Sequence, residues 1–170
     1  EWLWYPAIKF ELGLVRGTTA DCNGNITCGE EAALLDGCSL AQAVHNCGGT
    51  VIAQVKYLSE QKAHPKSVTI PGIYIDYIVV DSEQKQTCET DYSPVLAGDL
   101  KSPLDSVPRM DMGPRKIIAR RAAKELPEGE SVINLGVGMP DGIASVAAED
   151  GYLERLHLTV ESGLIGGMPM

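Results

Sequence analysis

Two short apolar strands that each run into a glycine-rich loop constrain the fold of this chain most strongly. Residues 131–135 precede the turn 136–140, and residues 156–160 precede the loop 161–167. A helical stretch, residues 141–148, separates the two strands. Strands connected in this way form a right-handed βαβ unit, whose two loops lie at the carboxyl edge of one parallel sheet. The pattern predicts an α/β fold with a site between the two loops.

The second loop opens with a single carboxylate, Glu161, at the end of its strand. A side chain at this place in an α/β sheet is typical of a nucleophile or a ligand-binding group. The structural alternative is that Glu161 is an acid of the turn and that the glycines only permit positive φ angles. Both interpretations stay open on this feature alone.

The first part of the chain also alternates strand and helix signals. Strands are predicted at residues 12–15 and 50–55, and the apolar run 73–80 predicts a strand covered on both faces. Thr27 and Glu30 form a capping-box pattern that predicts a short helix, and Ser39 begins a second helix that ends before Gly48-Gly49. The overall class is therefore α/β.

Prolines interrupt residues 81–113, which we interpret as a linker or an extended crossover. A helix is predicted to restart at Pro114, with Ile118, Ala119, Ala122 and Leu126 on one face. The same helix carries a basic cluster that could meet the phosphates of a cofactor, but a solvated helix face that pairs with acids is the commoner arrangement. The cluster consists of Arg115, Lys116, Arg120, Arg121 and Lys124.

Composition excludes several classes of function. The formal net charge of −9, without a basic tail, argues against a nucleic-acid partner. No apolar run reaches the roughly 18 residues of a membrane span, so we expect a cytoplasmic protein. Five cysteines at irregular spacings, without a C-x-x-C pair, predict neither a disulfide framework nor a metal site.

The turn after residue 135 also permits a dinucleotide-binding interpretation. Gly136 and Gly138 match the first two glycines of that fingerprint, and Glu161 follows Gly138 by 23 residues, near the usual place of a ribose-binding acid. Asp141, however, occupies the third glycine position and would set a negative charge beside a pyrophosphate. Pro140 removes an amide donor from the start of the helix.

The amino-acid sequence around these loops indicates a particular family more specifically than the glycines alone do. Residues 115–123, 134–142 and 161–167 together resemble the second half of family I coenzyme A transferases. Residues 13–27, 50–55 and 71–80 are similar to the end of the other half of such an enzyme. The resemblance is strongest to the single-chain acetate or propionate CoA-transferase branch, in which the two halves are fused.

The resemblance implies two related α/β halves with the active site between them and a glutamate nucleophile that matches Glu161. It implies transfer of CoA between a short-chain acyl-CoA and a carboxylic acid, by a ping-pong mechanism through an acyl-glutamyl anhydride and a glutamyl-CoA thioester. CoA is then a substrate, no cofactor or metal is expected, and the complete enzyme is expected to be a homo-oligomer. The residues expected to contact substrate or CoA are Gly136, Gly138, Met139, Gly163, Gly166 and Gly167.

On this interpretation the chain is an internal segment of a longer enzyme. Residues 1–80 finish the first half, residues 81–113 connect the halves, and residues 114–170 begin the second half with Glu161. Two alternatives remain: a dinucleotide-binding α/β protein that uses Gly136, Gly138 and Glu161, and a non-catalytic interaction segment.

Overall fold

The structure, a computed structural model, describes residues 1–136, 138–159, 163 and 165–167. It divides the chain into two compact units, Glu1–Lys101 and Ser102–Met170. Each unit combines helices with parallel strands, so the predicted α/β class is confirmed.

The first unit contains a mixed sheet of five strands in the order β4-β2-β1-β3-β5. Strand β1 runs parallel to β3, which runs parallel to β5, and β2 is antiparallel to both β1 and β4. Helix α1, Gly37–Asn46, connects β2 to β3. The strands are β1 (Leu12–Ala20), β2 (Ile26–Thr27), β3 (Thr50–Leu58), β4 (Val68–Ile70) and β5 (Tyr77–Val80).

Helix α1 covers one face of this sheet. Its buried residues Ala41 and Val44 belong to the same core cluster as Val51 of β3. The approach to β1 is close, because a Cβ atom on Gly13 would lie 2.9 Å from Cγ2 of Val44. A larger residue at Gly13 would therefore separate the helix from the sheet.

The opposite face of the sheet carries several exposed apolar side chains. Leu14 of β1 is 70% exposed, and Tyr77 and Val79 of β5 are 64% and 51% exposed. In this chain the run 73–80 is therefore left uncovered on this face, and its burial on both faces stays a prediction for the complete protein. The strand is also shorter than predicted, because Gly72–Tyr74 form a 3-10 turn before it.

The short helix predicted at Thr27 and Glu30 is wrong as well. Thr27 lies in strand β2, opposite Thr19 of β1. The backbone N–H of Glu30 donates to Oγ1 of Thr18 at 2.9 Å, a contact to another element that a helix cap would not make. Pairing with β1 and β4 has outweighed the local capping pattern.

Residues that follow β5 fold back onto the first unit. The buried Gln84 donates from Nε2 to the Gly17 carbonyl at 2.9 Å. Gln86, also buried, donates to the Glu30 carbonyl at 2.8 Å, and its Oε1 accepts the N–H of Ser93 at 2.8 Å. The beginning of the predicted linker 81–113 is thus fastened to the sheet by side-chain amides.

The second unit contains the predicted βαβ arrangement. Strands β6 and β7 are parallel, with Ser131 opposite Leu156 and Asn134 opposite Thr159. Buried residues of the helix between them, among them Ile143 and Val146, share a core with both strands and with the preceding helix. The elements are α2 (Pro114–Ala123), β6 (Ser131–Asn134), α3 (Gly142–Glu149) and β7 (Leu156–Thr159).

Helix α2 buries most of the predicted face, since Ala122 and Leu126 also pack against the core. Ala119 is buried as expected, but Ile118 is 51% exposed and Lys116 is buried in its place. The Lys116 ammonium reaches both the Glu149 carboxylate and the Met110 carbonyl at 2.6 Å. These two contacts compensate the burial of a charge, which is why a lysine can occupy this position.

The basic cluster of α2 pairs with acids, as the favoured interpretation predicted. Arg120 contacts Glu149 at 3.4 Å and Asp150 at 3.3 Å. Hydrogen bonds from Lys116 and from the Met110 N–H lower the pKa of the Glu149 carboxyl group. The remaining ion pairs are Arg115 with Asp141 and Arg121 with Glu125.

Within the described part of the chain, no helix is long and apolar enough to cross a membrane. The same residues contain no group of three or more His, Cys, Asp or Glu side chains placed to hold a metal ion. All five cysteines are free thiols.

Candidate active site

The turn after β6 is built on two glycines with left-handed backbones. Gly136 has φ 66° and Gly138 has φ 98°, values that side chains other than glycine rarely adopt. The N–H of Gly136 donates to Oδ1 of Asn134 at 3.2 Å, while Leu135 between them is anchored in the core. Glycine is therefore needed at both positions for the backbone path itself.

Arg115, from the first turn of α2, holds the second of these glycines. Its Nη2 donates to the Gly138 carbonyl at 3.0 Å and also forms an ion pair with Asp141. The N–H of Asp141 donates to the same carbonyl at 3.3 Å. One guanidinium group thus bridges the carbonyl of the turn and the acid at the start of α3.

The loop after β7 turns back on its own strand. Ile165 pairs with Thr159 in an antiparallel bridge, and the Gly166 N–H donates to the Leu158 carbonyl at 2.7 Å. Gly163 and Gly166 have φ values of 91° and 85°. Glu161, the predicted nucleophile, falls between Thr159 and Gly163 in the sequence but lies outside the described residues.

The structure places the other predicted site residues on two neighbouring strand ends. Gly136, Gly138 and Met139 follow β6, and Gly163, Gly166 and Gly167 follow β7. Because Asn134 and Thr159 are partners in the parallel pair, both loops leave the sheet at the same edge. Their contacts with a substrate remain a prediction.

No sequence pattern indicates the contact between Arg115 and the glycine turn. Arg115 is one of five basic residues on α2, and the pattern predicted pairing with acids without distinguishing among them. The contact with Gly138 depends on how α2 packs beside the turn, since the two residues are 23 positions apart.

A second acid at the end of a strand, Asp21, follows β1 in the first unit. Its Oδ1 accepts the N–H groups of Asn23 and Asn25 at 2.8 and 2.9 Å, and its Oδ2 accepts from the Asn25 side chain and the Ala63 N–H at 3.0 Å. These hydrogen bonds, led by the Asn25 side chain, lower the pKa of Asp21 from 3.8 to about 2. Every contact organises neighbouring loops, so Asp21 is a structural acid.

Comparison with known proteins identifies relatives along nearly the whole chain. A family model described as "Coenzyme A transferase" matches residues 1–81. Caffeate CoA-transferase of Acetobacterium woodii is 43% identical over 173 residues, which cover 99% of this chain and 33% of that protein. Acetate CoA-transferase YdiF of Escherichia coli O157:H7 is 42% identical over 172 residues, with 99% and 32% covered.

A solved structure gives the same result. The crystal structure of the acyl-CoA transferase YdiF from E. coli O157:H7, as a thioester complex with CoA, superposes with a TM-score of 0.83 at 40% identity. The match covers 97% of this chain and 31% of that one, so the chain spans about one third of the length of these relatives. The resemblance predicted from the sequence is confirmed, and the chain belongs to the coenzyme A transferase family.

Proposed function

We propose that the complete protein transfers CoA between a short-chain acyl-CoA and a carboxylic acid, with Glu161 as the nucleophile. The observation that carries the proposal is the parallel pairing of β6 with β7. This pairing puts the glycine turn after β6 at the same sheet edge as the loop to which Glu161 belongs in the sequence. Binding sites of open α/β sheets form at the carboxyl ends of such strands.

The proposed reaction begins with attack of the Glu161 carboxylate on the thioester carbonyl. The C–S bond breaks, CoA leaves as a thiolate, and an acyl-glutamyl anhydride remains. The thiolate then attacks the glutamyl carbonyl of the anhydride, which releases the first carboxylate and leaves a glutamyl-CoA thioester. An incoming carboxylate repeats the two steps in reverse and leaves as a new acyl-CoA.

A glutamate suits this reaction for a physical reason. With an ordinary pKa of about 4.3, a glutamate is ionised at neutral pH and needs no general base to become a nucleophile. A thiol with a pKa of about 8.5 leaves as a thiolate without help from an acid. The chemistry therefore requires no cofactor, and CoA enters only as a substrate.

The tetrahedral oxyanions of both steps need hydrogen-bond donors at fixed positions. In the proposal, backbone groups of Gly136, Gly138 and Met139 after β6 serve the reacting groups from one side. Gly163, Gly166 and Gly167 serve CoA or the acyl group from the other. The absence of a Cβ atom allows a ligand to approach a glycine backbone closely, which supports this assignment.

One relative adds support. YdiF of E. coli O157:H7 has been crystallised as a thioester complex with CoA. That protein is 40% identical to this chain, and the match covers 97% of this chain and 31% of YdiF. A thioester intermediate at Glu161 would agree with this chemistry.

The dinucleotide-binding alternative gains nothing from the geometry. Asp141, at the third glycine position of the fingerprint, is engaged by Arg115, and the Gly138 carbonyl accepts hydrogen bonds beside it. A pyrophosphate placed at this turn would meet the Asp141 carboxylate, which its phosphate charges repel. We therefore propose the transferase alone, in the cytoplasm and as a homo-oligomer when complete.

Trapping the thioester tests the proposal directly. The complete protein, expressed from the open reading frame that contains this sequence, is incubated with acetyl-CoA and then with borohydride. A glutamyl thioester is reduced under these conditions whereas a free carboxylate is not, so peptide mass spectrometry is expected to find reduction at Glu161. Glu154, an exposed glutamate seven residues earlier, is the internal control and is expected to stay unmodified.

Exchange of label between acetyl-CoA and acetate is measured on the same protein. Exchange with an unmodified Glu161 would refute the role of this residue. No exchange with any short-chain acid, from a folded protein, would refute the transferase and favour a non-catalytic role. Light scattering on this preparation determines the oligomeric state.

A further inference from the structure

Arg115 fixes a peptide plane at the turn after β6. A trans peptide group is planar, and its carbonyl and N–H point in opposite directions. The Gly138 carbonyl and the Met139 N–H belong to one such plane. Because Arg115 holds the Gly138 carbonyl at 3.0 Å, it also sets the direction in which the Met139 N–H points.

Among the residues that the structure describes, few others restrain the turn at this point. A φ of 98° at Gly138 lies in a region where glycine has wide freedom, and a Cβ built on Gly138 would meet no atom within 4 Å. Met139 is 44% exposed, so its side chain is not locked in the core. The Asp141 N–H contact at 3.3 Å is the longer of the two hydrogen bonds to the Gly138 carbonyl.

Asp141 in turn orients Arg115. The planar guanidinium presents several N–H donors in a fixed geometry, so one arginine can serve a carbonyl and a carboxylate together. The Asp141 side chain is 21% exposed, whereas the Arg115 side chain is 52% exposed. The less exposed acid, directly before α3, therefore helps to hold the more exposed cation on α2.

We infer that Arg115 is a positioning residue for the transferase reaction, acting through the Gly138 carbonyl to aim the Gly138–Met139 peptide at the reacting groups. The inference rests on the proposed function. Arg115 itself need not touch the substrate. Its ion pair with Asp141 contributes little to the stability of the fold, because solvent-exposed ion pairs generally contribute little. Its removal is expected to affect the chemical step far more than the fold.

The test compares Arg115→Ala, Arg115→Lys and a matched control, Arg121→Ala, in the complete protein. Arg121 is on the same helix and in an exposed ion pair with Glu125, but it has no contact with the glycine turn among the described residues. Each variant is measured for Tm and for the single-turnover rate of thioester formation at Glu161.

For Arg115→Ala we expect a rate loss of about tenfold or more, since small misplacements at a reacting centre have effects of this size. The Tm is expected to match that of Arg121→Ala. Arg115→Lys keeps one donor and the charge, so it is expected to recover part of the rate. Arg121→Ala is expected to react like the wild type.

The outcomes separate the two claims. A wild type that forms no thioester and exchanges no label overturns the proposed function and the inference with it. An active wild type whose rate is unchanged in Arg115→Ala overturns the inference alone. The inference also fails if Arg115→Ala loses rate only in proportion to a loss of folded protein, or if Arg115→Lys recovers nothing.

Discussion

Asp21 and Glu161 both follow a parallel strand in the sequence, one in each unit, and the described residues of the two loops differ. Asp21 is 6% exposed and accepts four hydrogen bonds from Asn23, Asn25 and Ala63. Both carboxylate oxygens of Asp21 are therefore engaged in hydrogen bonds within the protein. Glu161 belongs to a loop whose described glycines are exposed. For Asp21, the hydrogen-bond partners of its oxygens therefore decide its role, and not its position at the end of a strand.

The loops differ in the same way. After β1, the chain closes tightly, because the Asp21 N–H donates to the Asn25 carbonyl and the Gly24 N–H donates to the Asp21 carbonyl, both at 2.9 Å. After β6, the turn at Gly138 is exposed and is held by Arg115 from another helix. A closed loop organises structure, and an open loop leaves backbone groups accessible to a ligand.

Substituting each acid by its amide gives the largest expected contrast. Glu161→Gln is expected to reduce turnover by more than about a thousandfold, because an amide is a far poorer nucleophile than a carboxylate. Its Tm is expected to stay near that of the wild type. Label exchange and thermal melting of the complete protein measure the two quantities.

Asp21→Asn is the matched variant with the opposite expectation. Its amide would direct N–H donors at backbone groups that are themselves donors, so Tm is expected to fall clearly. The activity of the molecules that remain folded should be unchanged. The contrast between the acids is broken if Asp21→Asn abolishes turnover at full stability, or if Glu161→Gln stays active.

The glycine turn gives the next largest effect. Gly138→Ala is expected to lower turnover by about a hundredfold, the usual loss when one oxyanion donor is misplaced. Gly129→Ala is the control, because Gly129 also has a positive φ, 85°, and open space around a new Cβ, but it lies in the loop before β6. Both variants place an alanine at a positive φ, which strains the backbone of any L residue.

Equal activity in the two glycine variants would mean that Gly138 only shapes the turn. Turnover is expressed per folded molecule, from circular dichroism at the assay temperature. This correction removes the strain that the two variants share.

The smallest effects concern stability in acid, and each unit contains one carboxylate that contributes to them. The pKa of Asp21 is about 2 in the folded protein and near its ordinary 3.8 when unfolded. The Asp21 carboxylate thus makes its full contribution to the free energy of unfolding above pH 3.8, and this contribution is lost as the pH falls toward 2. Glu149 has a lowered pKa as well, so its contribution also disappears on acidification.

Thermal melts from pH 7 down to pH 2 check this expectation. Asp21→Asn and Glu149→Gln are each expected to flatten the acid dependence of Tm, because each removes one group that binds a proton more readily in the unfolded chain. A variant with the wild-type pH slope would show that the acid in question is not responsible.

The sequence was sufficient for the architecture where local pattern and packing agree. Apolar runs that end in glycine turns predicted β6, α3 and β7, and the parallel pairing followed from the length of the connection. At Thr27 the local pattern and the packing disagree, and pairing with β1 decided the outcome. At Lys116 a charge is buried because Glu149 and Met110 lie opposite, and no local pattern contains that information.

The candidate site was predictable in part for the same reason. Glycines and an acid at strand ends are visible in the sequence, so the two loops could be identified before the fold. The contact of Arg115 with Gly138 depends on the packing of α2, and so does the choice of Asp141 as its acid. The contacts of Arg115 and Asp141 at this turn can therefore be identified only from the three-dimensional structure.

The side-chain amides of Gln84 and Gln86 determine where this polypeptide can be divided. A cut directly after Val80, the last residue of β5, would follow the end of the secondary structure but would remove the donors of the Gly17 and Glu30 carbonyls. Gene dissection, split-protein reporters and domain exchange should therefore place their junction beyond Ser93, where Gln86 makes its last contact.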